Sequence, residues 1–494
     1  MRPYYSPDRL LGECADFLGA AIDESSIHIN GICSDSRSIE IGDLFVALPG
    51  ATHHGVDFID AALERGAVAV MTDEVGANLL AERAKDFPIL SVRDPRASLG
   101  PLASWFYGNP SSAMKVLGVT GTNGKTTTTY LLHQLLTLAE IESGLIGTIT
   151  TQVGDERFPS THTTPESDSL QRILATMKER HCGAVAMEVS SHALSLHRAR
   201  GTKFSACAFT NLSQDHLDFH KSMENYYQAK RSLFDSEYTE RALIMIDDDY
   251  GARLMNEIAI PAISLSMDNK KAHWHYVKRD LINGGYEVAI RGEGGILIEG
   301  EFPLLGEHNL QNAIVAIALA VEAGVDPLLI GRSLSQLKSA PGRLESINRG
   351  QNYLALVDYA HTPDAVTRVL STVRALTDGQ VIAVLGCGGD RDSSKRPLMG
   401  SALLNGSDRA IFTSDNPRNE KPESILHEMT AGLTMKSNSR VIPDRREAIT
   451  EAVKSAEPGD VVIILGKGHE SGQEINGIKH PFDDREVLSE VIQG

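Results

Sequence analysis

Cysteine is scarce in this chain of 494 residues. Cys14, Cys33, Cys182, Cys207 and Cys387 are odd in number and form no Cys-x-x-Cys pair. That suggests neither a disulfide framework nor a cysteine zinc site. Long apolar runs are also missing. The stretch from Ala313 to Val321 is far too short to cross a bilayer, and Met1-Arg2-Pro3-Tyr4-Tyr5-Ser6-Pro7 lacks the apolar core of a signal peptide. Basic excess is absent too: the formal net charge is −18, which argues against a nucleic-acid partner because phosphate backbones recruit basic surfaces. An anionic small substrate is compatible, since local basic residues can serve it. A reduced, cytoplasmic, globular enzyme without membrane insertion is expected. The length exceeds what one core supports, so two to four domains are expected.

What the chain does have is Val116-Leu117-Gly118-Val119-Thr120-Gly121-Thr122-Asn123-Gly124-Lys125-Thr126-Thr127. An apolar, β-branched run ends in glycines and Lys-Thr. Tyr130, Leu131, Leu132, Leu135, Leu136 and Leu138 follow at helical spacing. Strand, tight loop and helix in that order aim backbone N–H groups and the positive end of the helix dipole at a phosphate. Lys125 would reach the outer phosphates and Thr126 would hold Mg²⁺. The usual pattern has glycine where Val119 stands; Gly118 lies one residue early and Gly121 sits inside the loop. The reading is a nucleotide phosphate site.

Before it, residues 1–112 mix short strands and helices, with strands read at 43–48 and 66–71 and a helical stretch at 58–63. Gly108-Asn109-Pro110-Ser111-Ser112 is a break signal. From 113 to 340, apolar strands at 116–120, 184–189, 204–209 and 242–246 alternate with helices. Such a rhythm implies a largely parallel sheet with its sites at the carboxyl ends of the strands. Asp280 to Phe302 reads as one or two antiparallel hairpins, and Glu307 to Glu322 as a long helix. Ser339-Ala340-Pro341-Gly342-Arg343 is a second break. From 341 to 494, strands at 353–357, 381–385, 409–413 and 461–465 form a second open α/β sheet.

Polar clusters follow directly on these strands. Met187-Glu188-Val189-Ser190-Ser191-His192 ends one, and Thr210-Asn211-Leu212-Ser213-Gln214-Asp215-His216-Leu217-Asp218-Phe219-His220 ends the next. Taken singly, Glu188 reads as a capped surface acid and His216 as a hydrogen-bonded loop histidine. Converging on the edge that carries the phosphate loop, they become candidate metal ligands beside a γ-phosphate. His216 and His220 are four apart, but Leu217 stands where a zinc protease needs glutamate, so the pair flanks a turn.

At this point the chain resembles the Mur ligase and folylpolyglutamate synthetase superfamily. The displaced glycines of 120–126 look like that family's loop. The segments 187–192 and 210–220, Gly306-Glu307-His308-Asn309-Leu310-Gln311-Asn312, Pro341-Gly342-Arg343-Leu344-Glu345 and Val357-Asp358-Tyr359-Ala360-His361-Thr362-Pro363-Asp364 resemble the Mur branch. Within the branch, Asp415-Asn416-Pro417-Arg418 and Gly466-Lys467-Gly468-His469-Glu470 resemble the diaminopimelate-adding type. The signals run in the family's order from about residue 34 to 470.

The resemblance implies three domains: a UDP-substrate-binding one (1–112), a central P-loop ATPase with a parallel sheet (113–340) and a C-terminal, Rossmann-like one that receives the amino acid (341–494). It implies ATP and Mg²⁺ as cofactors, UDP-N-acetylmuramoyl-L-alanyl-D-glutamate and meso-2,6-diaminopimelate as substrates, an acyl-phosphate intermediate, and a monomer. By the same analogy Ser34, Ser36, His53 and His54 hold the uridine diphosphate, and Thr163, Thr164, Ser190 and Arg198 the muramoyl-peptide end. Leu196 stands where the family places a polar substrate-binding residue. Lys230 matches the lysine that the family carbamylates into an oxygen ligand; on sequence alone it is an ordinary helix lysine. The metal set is then Thr126, Glu188, His216 and carbamylated Lys230. ATP would meet Gly121, Thr122, Asn123, Gly124, Lys125, Thr126, Thr127, Asn309, Arg343 and Asp358. Lys125, Lys230 and His361 form the catalytic set, with Arg343 and His361 helping to bring the C-terminal domain onto the nucleotide. Without the resemblance, Pro341-Gly342-Arg343 reads equally as a linker, and Asp358 and His361 as caps.

Arg391 and Arg418 are candidate carboxylate clamps, since planar guanidinium groups bind carboxylates through two hydrogen bonds. Glu470 would take the ammonium, with Asp415, Asn416 and Gly466 beside it. Diaminopimelate carries an amino-acid head at each end, which suits a site with arginine at its far end. A lysine substrate would give Arg418 nothing to pair with. Lysine-adding, D-Ala-D-Ala-adding and folate-polyglutamating ligases remain alternatives on the same scaffold. So does a nucleotide-binding regulator that kept the fold and lost catalysis.

Overall fold

The computed structural model describes residues 1–5, 7–50, 52–83, 87–282 and 285–494. Three large sheets, of four, eleven and six strands, follow one another along the chain. The first is parallel, with Gly31–Cys33, Asp43–Val46, Ala69–Thr72 and Ile89–Ser91 in that order. Its two central strands are buried at every position, as a parallel sheet covered on both faces requires. The sequence reading starts the third strand at Gly66, three residues early. Gly66 has φ +98° and closes the turn after the helix Ile59–Glu64, so extended pairing begins only at Ala69.

The central sheet has eleven strands. Its parallel part runs Ser143–Ile146, Ala184–Glu188, Lys115–Thr120, Ala206–Phe209, Ala242–Met245, Ala262–Ser266 and Trp274–Ile282. After Lys115–Thr120 the chain crosses to Ser143–Ile146, returns to fill Ala184–Glu188 between them, and then continues on the other side with Ala206–Phe209. Winding therefore reverses at Lys115–Thr120, and a crevice opens beyond its carboxyl end. An antiparallel meander, Trp274–Ile282, Gly285–Arg291 and Leu297–Phe302, closes one edge. It realises the expected hairpins but begins earlier, because Trp274 and His275 first pair with Leu265 and Ser266; residues 283 and 284 lie outside the described residues. The helix Lys125–Leu138 follows the loop and packs against Glu307–Ala323, with Leu131, Leu135, Ile314 and Ile317 in one core.

The third sheet is ordered Glu345–Ser346, Leu354–Asp358, Val461–Leu465, Val381–Cys387, Arg409–Ser414 and Arg440–Val441, antiparallel only at the first pair. Each of its long strands falls within two residues of its expected place. A hairpin, Gly472–Ile475 with Ile478–Pro481, was not anticipated. Among the described residues no helix is long and apolar enough to cross a membrane.

Candidate active site

Gly118, Gly121 and Gly124 have different jobs. Gly118 lies inside the strand, where a Cβ would come 2.8 Å from Cys207 Sγ and 3.0 Å from Phe204, so it serves packing and Val119 fills the core. Gly124, at φ +90°, starts the helix, and a Cβ there would meet Asn312 Oδ1 at 2.3 Å. At Gly121 a Cβ would strike Thr210 Oγ1. Lys125 Nζ donates to the carbonyls of Gly121 and Thr122, each at 2.9 Å. Lys230 Nζ donates to the same Gly121 carbonyl at 2.8 Å and is wholly buried over the Tyr226 ring. Desolvation, and then the Lys125 charge, push the Lys230 ammonium well below the ordinary lysine value.

Glu188 is not a surface acid: it is fully buried. Its Oε2 accepts from Thr126 Oγ1 and Thr148 Oγ1, each at 3.0 Å, and its Oε1 from the Thr148 amide at 2.8 Å. Gly147 makes room for this seat, since a Cβ there would lie 2.4 Å from Oε1. His216 sits on the same cleft in a left-handed conformation (φ +54°) with Nε2 3.4 Å from Asp215 Oδ2. His220 is spent on Ser191 Oγ at 2.9 Å, and His192 stands between the two, its ring 4.7 Å from that of His216. Among the described residues no three His, Cys, Asp or Glu side chains meet as a metal cage. The hydroxyl of Thr126 and the carboxylate of Glu188 fit Mg²⁺ instead, which is held by one or two protein oxygens with phosphates and water completing its shell.

The C-terminal segment closes the cleft. Arg343 donates to Thr126 Oγ1 at 3.2 Å and stacks on Tyr359. Asp358 does act as a cap, accepting from the Leu344 and Ala360 amides at 2.7 Å each, and it faces the cleft as well. Burial raises its carboxyl above the ordinary value. Asn309 anchors to the Leu305 carbonyl and lines the same space. Asp215, from the central sheet, is approached by His361 and Lys395 of the C-terminal segment, each at 3.9 Å. Burial raises the Asp215 carboxyl, but these partners and His216 outweigh it and hold it below the ordinary value. Gly342 (φ +65°) and Gly468 (φ +51°) are packed backbone to backbone. A Cβ on the first would lie 2.1 Å from His469 N, and one on the second 2.6 Å from Gly342 O.

Arg391, Asp415, Asn416, Arg418, Gly466 and Glu470 line this same cleft, of about 740 Å³, with Lys125 and Thr126. Asn416 Nδ2 donates to Glu470 Oε2 at 2.8 Å. Arg418, in a left-handed conformation (φ +50°), donates to Gly389 O at 2.6 Å and pairs with Glu474 at 3.3 Å. Behind this wall, Arg445 and Asp484 form a wholly buried ion pair. Arg445 also donates to the carbonyls of Ser414 and Leu465, the strand ends that lead into the loops at 415–418 and 466–470.

Thr163, Ser190, Leu196 and Arg198 line the cleft too. Thr164 does not. It is buried, donating to Glu188 O and accepting from the Ser190 amide, so it shapes the wall rather than facing a ligand. Ser34, Ser36, His53 and His54 lie apart, on loops of the first sheet. Ser34 donates through amide and hydroxyl to Asp168 of the central segment, and His54 Nε2 lies 3.1 Å from Asp73. Sequence reasoning assigned no role to Thr148, His192, Asp215, Lys395 or Lys467. Asp215 and His192 stood in the polar runs after strands, and Lys467 between two glycines after another; position at a strand end was the available signal.

Residues 28–107 match the family described as "Mur ligase family, catalytic domain", 119–320 match "Mur ligase middle domain", and 342–468 match "Mur ligase, glutamate ligase domain". The chain is 45% identical to the UDP-N-acetylmuramoyl-L-alanyl-D-glutamate–2,6-diaminopimelate ligase of Streptomyces coelicolor, over 98% of this chain and 96% of that one. It is 41% identical to the enzyme of that name from Aquifex aeolicus, over 94% of each. A solved structure of a ligase of the same name superposes with a TM-score of 0.67 at 33% identity, covering 97% of this chain and 98% of the other. With all three family regions in sequence order and near-complete coverage, the chain belongs to the Mur ligase family.

Proposed function

We propose that this protein is an ATP-dependent ligase that adds meso-2,6-diaminopimelate to UDP-N-acetylmuramoyl-L-alanyl-D-glutamate in peptidoglycan synthesis. The observation that carries the reading is that Lys125 and Thr126 share one cleft with Asp415, Asn416 and Arg418, nearly three hundred positions away in the chain. Relatives bearing that enzyme's name at 40% identity or more support it. In this reading residues 1–112 hold the UDP end through Ser34, Ser36, His53 and His54, residues 113–340 hold ATP, and residues 341–494 bring the amino acid.

The D-glutamyl γ-carboxylate attacks the γ-phosphorus of ATP, a P–O bond forms, and ADP leaves. An amine of diaminopimelate then attacks the acyl-phosphate carbonyl, and phosphate departs from the tetrahedral intermediate. The protein's part is chiefly positioning and charge stabilisation. Lys125 exchanges its loop carbonyls for phosphate oxygens, and Arg343, already at Thr126, carries the C-terminal segment onto the nucleotide. Thr126 and Glu188 would hold one Mg²⁺, and His216 with Lys230 as its carbamate would supply ligands to a second. The depressed, desolvated Lys230 amine suits carbamate formation, because the neutral form is the nucleophile. Bound there, Mg²⁺ offsets the repulsion between carboxylate and triphosphate. The cleft, closed by Asp215 with His361 and Lys395, keeps water from the acyl phosphate. Arg391 and Arg418 would hold acceptor carboxylates and Glu470 an ammonium.

Supplying purified protein with ATP, the UDP-dipeptide and each candidate amino acid separately tests this. Phosphate release with diaminopimelate well above that with lysine is expected; a preference for lysine or D-Ala-D-Ala would overturn the assignment.

A further inference from the structure

Lys467 is a cation with no surface: its side chain is 0% exposed and does not line the cleft. Gly466 and Gly468, with φ +110° and +51°, let the chain turn it inward behind the wall. An ammonium has three protons to donate, and Nζ finds three acceptors. They are Gly472 O at 2.7 Å, Asn416 Oδ1 at 3.1 Å and Glu470 Oε2 at 3.1 Å; Asp415 Oδ1 lies at 3.7 Å. The Asn416 amide is thereby locked. Its oxygen takes Lys467 and the Glu474 amide, and its nitrogen donates to Glu470 Oε2. Glu470 Oε2 is saturated from behind, while Oε1 has no hydrogen-bond partner among the described residues and stays available at the cleft. Burying a charge carries a desolvation cost that an apolar side chain of similar volume would avoid, and two of the three groups that offset it here, Asn416 and Glu470, line the cleft.

We propose that Lys467 is a positioning residue for the acceptor amino acid. It fixes the orientation of Asn416 and Glu470, and it reduces the two carboxylates of Asp415 and Glu470 to one net negative charge, the match for a single incoming ammonium. The proposal rests on reading this wall as the acceptor site and adds to it the residue that sets its charge.

The experiment compares wild type, Lys467→Met, Glu470→Gln and the double variant in steady-state assays with ATP, the UDP-dipeptide and diaminopimelate. Lys467→Met is expected to raise KM for diaminopimelate about tenfold or more, the scale of a lost charge-assisted hydrogen bond, with KM for ATP and for the UDP-dipeptide within about twofold of wild type. In Glu470→Gln the Lys467 charge cancels that of Asp415; removing Lys467 as well restores one net negative charge, and Asn416 is still held by the Glu474 amide, so the double variant is expected to be no worse than Glu470→Gln alone. That comparison also serves if Lys467→Met fails to fold, since the double variant leaves no orphaned carboxylate at 470. An unchanged diaminopimelate KM in Lys467→Met, or a double variant a further tenfold worse than Glu470→Gln, would overturn the proposal. Wild-type turnover separates the two failures. None with diaminopimelate sinks the acceptor reading and this proposal with it, whereas normal turnover with an insensitive Lys467→Met sinks only the role of Lys467.

Discussion

From Lys115 to Leu138 one continuous stretch supplies strand, loop and helix of the proposed nucleotide wall, whereas the facing wall is assembled from residues 386–391, 415–418 and 466–470. The first is shaped by backbone and by glycines at fixed positions. The second is tied together by side chains that never reach the cleft. Lys467 joins Asn416 to Glu470, and Arg445 joins the ends of two strands to Asp484. A wall made from contiguous backbone loses function mainly when its reactive side chain goes. A wall made from distant loops can be lost through a residue well behind it.

The largest effect expected from breaking that contrast is at the nucleotide wall. Lys125→Ala should lower turnover by about a thousandfold or more, the scale of removing a preorganised charge from a developing anion, while calorimetry shows UDP-dipeptide binding intact. Unchanged turnover would remove Lys125 from the chemistry. At the other wall Arg445→Met should cost about 3–5 kcal/mol of stability, because it strands a buried carboxylate at Asp484. Pairing it with Asp484→Leu should recover most of the melting temperature; no recovery would mean that the pair is not the source. Arg418→Ala should narrow the preference for diaminopimelate over lysine by about tenfold or more and leave KM for ATP alone. A selectivity ratio that stays put would move the far-end clamp elsewhere, with Arg391 the next candidate.

The smallest effect sharpens the picture of what the loop helix rests on. His133 is buried against Ser143, and desolvation pushes its pKa from 6.5 down to about 4. The unfolded chain takes up that proton first, so the contribution is complete above pH 6.5 and is lost as pH falls from 6.5 towards 4. His133→Gln should flatten the dependence of stability on pH in that window, by something on the order of 1 kcal/mol near pH 5.5. Identical slopes in chemical denaturation at several pH values would dismiss it.

The same contrast explains what could be read from residue order. Apolar, β-branched runs at 116–120, 184–189 and 461–465 are short enough to be strands and become buried parallel ones in sheets covered on both faces. The loop was legible because its chemistry is local, although Gly118 needed the packing of Cys207 and Phe204 to show that it is a strand glycine. The hairpin 472–481 was not legible. Its strands are mostly half-exposed or exposed, and they show no apolar alternation. The candidate acceptor residues were found by family motif, but their supports were not. Asp484 and Arg445 lie about forty positions apart and are paired only by tertiary folding; the same holds at the other wall for Thr148, the unread partner of Glu188.

Gly342 and Gly468 leave no space for a methyl group between them. One residue after the first comes Arg343, which touches Thr126, and two residues after the second comes Glu470. Any swing of the C-terminal body must therefore carry both like two teeth on one gear. On the proposed reading, withdrawing the guanidinium from Thr126 and its nucleotide also withdraws the cradle for the amine. On that reading the nucleotide arm and the amino-acid cradle arrive together, and their coupling is written into a contact between two backbones rather than into a separate signal.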